Sequence, residues 1–191
     1  MRLAICALLA AAGCHHDPGG CPDGARLHGH APPSSEVQWC ARPDGVKHGR
    51  WTEWYAGGAR KREGQYVDGA MDGRWVSFFE EGGTQLEGTY HAGLKQGVWT
   101  LYYESGRKNR EERHVIGSPD VAWIAWREDG HKWAEGTLHE QRAQGAYQEW
   151  HDNGQLAASG AYARGEKVGA WKYWDAGGAP TAQPQGDFPP E

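Results

Sequence analysis

Glu111, Glu112, His114 and Asp120 fall within ten consecutive positions and combine carboxylates with an imidazole, the residue types of general acid–base chemistry. Nothing around them supplies a nucleophile or a phosphate cradle: the chain has no G-x-S-x-G, no H-E-x-x-H and no Gly-rich phosphate loop. His15-His16-Asp17 and the pair His28 and His30 are of metal-ligating types. They sit in a Gly-, Pro- and Ser-rich stretch without a C-x-x-C or a matching His pair, so neither a metal site nor a cofactor is expected. Catalysis needs a unique constellation in a pocket that desolvates it. Without such a pocket the chain is expected not to be an enzyme.

The cysteines point to chemistry of another kind. Arg2 precedes an apolar run, Leu3 to Ala12, too short to cross a bilayer and shaped like an export signal. Ala11, Ala12 and Gly13 stand directly before Cys14, which resembles the lipobox of bacterial lipoproteins, although Ala11 occupies a position usually held by Leu. The resemblance implies a signal peptide over residues 1–13, lipid on Cys14 and a lipid-anchored location in the cell envelope, at the outer membrane or in the periplasm. Ordinary cleavage and secretion is the alternative. Either way Cys6 is lost with the signal. Cys21 and Cys40 remain as an even pair in an oxidising compartment, where a disulfide is expected. Residues 14–37 read as a flexible tether.

The elements that must carry these residues are set by a repeat. Gly49, Gly73, Gly97, Gly145 and Gly169 stand on a ladder of period 24, broken by Val121. Two residues later come Trp51, Trp75, Trp99, Trp123, Tyr147 and Trp171, and three further on Trp54, Phe78, Tyr102, Trp126, Trp150 and Trp174. Gly58 and its equivalents recur without exception, then Gly64, Gly88, Gly136 and Gly160 with Glu112 as the misfit, then Tyr66, Tyr90, His114, Leu138 and Tyr162. With 29 Gly, 11 Trp and 8 Tyr, the composition suits short strands and tight turns and argues against helices. Each unit reads as an aromatic strand, a turn at Ala56-Gly57-Gly58 or its equivalents Asp129-Gly130 and Asn153-Gly154, a second strand, and a return turn over Gly69 to Gly73. Connections this short make neighbouring strands antiparallel. A glycine inside the second strand marks a close approach, expected to be a ring from the first strand of the unit. A lone hairpin is marginal, so stacking of units must supply the stability.

The pattern G-x-W-x-x-[WYF]-x-x-x-G-x-x-x-x-x-G-x-[YLH]-x-x-G resembles MORN repeats, in the variant form found in bacterial YwqK-type antitoxins of toxin–antitoxin pairs. The resemblance spans about Gln38 to Trp174, with Gln38 to Gly49 as a partial first unit. It implies an all-β, elongated single-layer antiparallel sheet of successive hairpins over 38–174; residues 175–191, rich in Ala, Pro, Gly and Gln, read on composition as a frayed tail. It implies protein or membrane association and brings no catalytic residues.

A net charge of −5 argues against nucleic-acid binding. The chain is expected to be a tethered binding or scaffold module for a protein or an envelope polysaccharide. An antitoxin or immunity protein is the alternative. Two surfaces are candidates. One is the row Trp54, Phe78, Tyr102, Trp126, Trp150 and Trp174, since rings supply large contact area at low entropic cost; the competing reading is that these rings are core. The other is the irregular segment Arg110 to Val121, with Glu112, His114 and Asp120, where drift of one unit competes with a binding role.

Overall fold

A computed structural model describes residues 20–34 and 36–182. These form one all-β sheet whose strands lie in chain order, each antiparallel to its neighbours in sequence. They are β1 Arg26–Gly29, β2 Val37–Ala41, β3 Lys47–Trp54, β4 Arg60–Val67, β5 Ala70–Phe78, β6 Thr84–His91 and β7 Leu94–Tyr102. Then follow β8 Lys108–His114, β9 Asp120–Trp126, β10 Lys132–His139, β11 Arg142–Trp150, β12 Leu156–Ala163, β13 Glu166–Trp174 and β14 Pro180–Thr181. The sheet is open, because β1 and β14 are its two edges.

Two kinds of turn alternate. At one end of the strands, Gly58 N–H donates to Tyr55 O and Tyr55 N–H to Ala59 O, and Gly58 takes φ +86°. This is a type I turn closed by a left-handed glycine, the three-residue hairpin loop. The Asp129-Gly130 and Asn153-Gly154 pairs turn here as expected, through a particular contact: Asp129 accepts the His131 N–H at 2.8 Å and Asn153 that of Gln155 at 3.0 Å. At the other end the turns are two residues long with both φ positive, as at Asp68 (51°) and Gly69 (83°), except between β8 and β9, where residues 115–119 make a longer connection. The return turn therefore ends at Gly69, not at Gly73. Ala70 already opens β5, and Gly73 lies inside that strand as part of a bulge in which 73–75 face Gly64.

The strand glycines make the predicted close approach, with a different partner. A Cβ on Gly64, Gly88 or Gly160 would fall 2.3, 2.1 or 2.2 Å from the ring of Trp75, Trp99 or Trp171. Each ring belongs to the following unit rather than to the glycine's own hairpin. The shared cause is a bulge that sets 73–75, 97–99 or 169–171 opposite the glycine; two of the indoles are held further by hydrogen bonds, Trp75 Nε1 donating to Gln65 O (3.2 Å) and Trp99 Nε1 to Thr89 O (3.1 Å). Trp51, Trp75 and Trp99 form the buried row, with Trp39, Tyr66, Met71, Leu86 and Tyr90 packed on it. The stacked rows expected from the repeat are thus present.

A second inter-unit link ties the turns together. Tyr55 Oη donates to Phe78 O (2.9 Å), Tyr103 Oη to Trp126 O (2.8 Å), Arg127 Nη2 to Trp150 O (3.0 Å) and His151 Nε2 to Trp174 O (2.8 Å). Donors of three residue types come from one column of the repeat, the residue after Trp54 and its equivalents. Phe79, in the same column, has no donor to offer.

Two boundaries shift. Part of the expected tether is folded: β1 pairs with β2, and Cys21, Ala25 and Cys40 are buried together. The Cys21–Cys40 disulfide, with Cα atoms 5.6 Å apart, holds this cap in place. At the far end, Pro180–Thr181 of the expected tail adds the short β14 to β13. Cys14 and the export segment lie outside the described residues.

Candidate binding surface at the break in the repeat

The array departs from its own rule at Glu112. This residue faces Trp123 across the β8–β9 ladder, where the regular units carry glycine. A side chain here denies Trp123 the position that Trp75 and Trp99 occupy. The indole lies instead beside Gly136, where even an added Cβ would meet it only at 3.4 Å. Its Nε1 finds no acceptor among the described residues. The Arg110 guanidinium stands over the half-buried ring at 4.5 Å and 3.1 Å from Glu112, an ion pair without hydrogen-bond alignment. His114, in place of Tyr, approaches Glu112 at 3.1 Å.

The four residues with acid–base potential do not converge. Glu112 and His114 meet, as above. Asp120 pairs instead with His139 across the next ladder, at 2.7 Å. Glu111, the strand neighbour of Glu112, points to the opposite face and holds Lys108.

Two hollows flank Trp123. One, of 340 Å³, has a floor of Val98, Ala122, Ile124 and Ala146, with Glu111 and Glu135 beside it. The corresponding place in the second unit is filled by the Arg74–Glu87 ion pair, at 2.7 Å. The other hollow, of 770 Å³, lies on the Trp51 face among Trp123, Tyr147 and Tyr162, and Arg110, Arg142 and Arg164 also line it. A small residue helps to open it: Ala143, which lines it, stands where Met71 packs on the tryptophan row in the first half. Tyr147 replaces the indole of its column. Burial, then the nearby Glu149 carboxylate, raises its hydroxyl pKa well above the ordinary tyrosine value.

The row from Trp54 to Trp174 occupies the other face, three residues beyond the buried column on each strand. All six rings are half-buried. Cations cover several of them: Arg60 stands over Phe78 at 5.1 Å, Lys108 over Trp126 at 5.8 Å and Lys132 over Trp150 at 3.8 Å. Each cation also pairs with a carboxylate three residues on, Glu63, Glu111 or Glu135. Thr84 stands where the second unit would have its cation, and there Tyr102 Oη donates to Glu87 at 2.6 Å. That hydrogen bond, then the one from Arg74, lowers the Glu87 pKa; the same Glu87 bond is the main cause raising that of Tyr102. Sequence reasoning named the rings and missed what covers them. The signal was present: Arg60/Glu63, Lys108/Glu111 and Lys132/Glu135 recur in register.

Residues 47–68 and 143–163 match the family described as MORN repeat variant. Both segments start at the same point of the unit, and each takes in one hairpin, β3–β4 or β11–β12. No curated protein matches the chain.

Proposed function

We propose that this repeat array is a non-catalytic binding module, tethered in the cell envelope through Cys14, that holds a protein or polysaccharide component of the envelope. The supporting observation is local. A sheet built from one repeated contact gives up that contact at Glu112 and has a hollow on either face of the sheet there. Open apolar volume lowers stability, so its presence at the break favours a role in recognition over a structural one. Tethering rests on the amino-terminal sequence, where a short apolar segment leads into Gly13-Cys14.

The test is capture of envelope components by the full-length chain, beside a Glu112→Gly variant that restores the regular pattern. In that variant Trp123 is expected to lie across β8, and capture is expected to fall by at least tenfold while the fold is kept. Equal capture by both chains would remove the break from the binding surface. Recovery of a single toxic protein in stoichiometric amount, with relief of its toxicity, would replace this reading by an immunity role.

A further inference from the structure

We propose that the 770 Å³ hollow is a site for an oligosaccharide that carries carboxylate groups, an inference that rests on the binding-module reading and names its ligand class. Its size suits a ligand of several sugar rings lying in an open trough. Trp123, Tyr147 and Tyr162 line it with half-buried aromatic rings. Aromatic faces of this kind stack on flat C–H surfaces such as those of a pyranose.

Two guanidinium groups make the site cationic. Arg142 opens β11, and Arg164 sits on the turn between β12 and β13. Both are exposed, and neither side chain has a hydrogen-bonding or ionic partner among the described residues. By contrast, Arg74 and Arg127 are each held by a carboxylate, at 2.7 and 2.8 Å. Glu112, which faces Arg110, does not line this hollow; Glu166 is the one carboxylate that does. Planar guanidinium forks with open donors match carboxylates in bidentate geometry. Gln144 Oε1 already accepts the Arg164 N–H at 3.0 Å, so its amide NH₂ is left to donate to a ligand oxygen.

Backbone strain marks the same site independently. The two-residue turns at 69, 93 and 165 all place glycine at their second position. The turn between β10 and β11 uses Glu140 (φ 49°) and Gln141 (φ 67°) instead, and Gln141 lines the hollow. A left-handed conformation disfavours a side chain, and such strain collects at functional sites. The Gln141 side chain is kept at a cost in stability and presents an amide to the trough.

A peptide fits less well. β10, β11 and β12 are each paired on both sides, and β13 faces the hollow with the edge that β12 occupies, so strand addition is open only along the far edge of β13, beyond the two residues that β14 covers. Recognition falls to rings, amides and guanidinium groups.

The experiment is calorimetric titration of the full-length chain with tetragalacturonate at low ionic strength, with maltotetraose as the neutral sugar and tetraglutamate as the acidic peptide. Tetragalacturonate is expected to bind, and each of the other two to bind at least tenfold more weakly. An Arg142→Ala/Arg164→Ala double variant should lose more than tenfold in affinity, whereas Arg62→Ala, an exposed arginine elsewhere, should lose none. Gln141→Gly should raise the urea midpoint and still weaken binding, a combination that a merely structural role would not give. No binding of tetragalacturonate, equal binding of tetraglutamate, or an unaffected double variant would overturn the proposal. If envelope capture by the full chain persists in the double variant, this inference alone falls; if the parent chain captures nothing, the binding-module reading falls with it.

Discussion

Replacing Gly88 by Ala tests the contact from which the sheet is built. The new Cβ would lie 2.1 Å from Cδ2 and 2.3 Å from Cε2 of Trp99, distances at which one of the two must move. Trp99 is only 4% exposed and its Nε1 is committed to Thr89 O, so a small shift is not open to it. If the ring stays, overpacking costs about 1–3 kcal/mol. If it leaves, the loss approaches that of a large aromatic, about 3–5 kcal/mol, together with the indole hydrogen bond. A destabilisation of about 3 kcal/mol is the expected result. Gly136→Ala is the matched control. Its Cβ would meet Trp123 at 3.4 Å, an ordinary contact, and its φ is not in the left-handed region. There the gain of alanine over glycine in a strand, about 0.5–1 kcal/mol, should show as unchanged or higher stability. Urea unfolding followed by tryptophan fluorescence gives both values from the midpoints, provided that the slopes agree. Equal midpoints for Gly88→Ala and the parent would refute the ring-over-glycine account. So would equal losses in the two variants, which would mean that any strand glycine matters and not only one lying under an indole.

Further outcomes follow from the other contacts. Phe79→Tyr should supply the missing inter-unit donor to Tyr102 O and raise stability by about 0.5–1.5 kcal/mol, read from the same urea curves. Paired Cys21→Ser/Cys40→Ser substitution opens a loop with a sequence separation of 19 and should cost about 3 kcal/mol, measured as a lower melting temperature that no longer responds to reductant. Glu87 has a lowered pKa in the folded chain, through Tyr102 first and Arg74 second. Its contribution is therefore present above the ordinary carboxylate pKa and is lost as pH falls through the folded value. Glu87→Gln should flatten the acid limb of the stability profile below about pH 4 and leave its shape near neutrality unchanged.

The period of the repeat, its strands and their antiparallel order were legible because Gly and aromatic residues hold fixed columns. Less legible was which glycine sits under which ring. Gly64 is the direct ladder partner of Trp51, and the bulge at 73–75 is what carries the Trp75 ring over it instead. The return turn was misplaced by reading Gly69 and Gly73 as one feature, although the second serves a bulge; both demand φ above zero, and composition alone does not separate the two uses. β1 escaped notice because four residues among Gly, Pro and His carry no periodicity. What orders them is a disulfide and a neighbouring strand, both distant in sequence. Glu112 was visible as an irregularity. The larger hollow beside it is lined by Ala143, a residue too common to stand out until its column partner Met71 is seen packing on the tryptophan row.

Because every strand bonds only to the strands next to it along the chain, no ladder of this sheet joins strands distant in the chain, and β7–β8 is the single ladder between its two halves. Pulled from its two ends, such a molecule should yield hairpin by hairpin from the outside inward, giving a train of small, evenly spaced force peaks and no single rupture. The loop closed by Cys21 and Cys40 would stay shut throughout, so the extension released at the amino-terminal end should fall short by the length it encloses and recover it only in reductant.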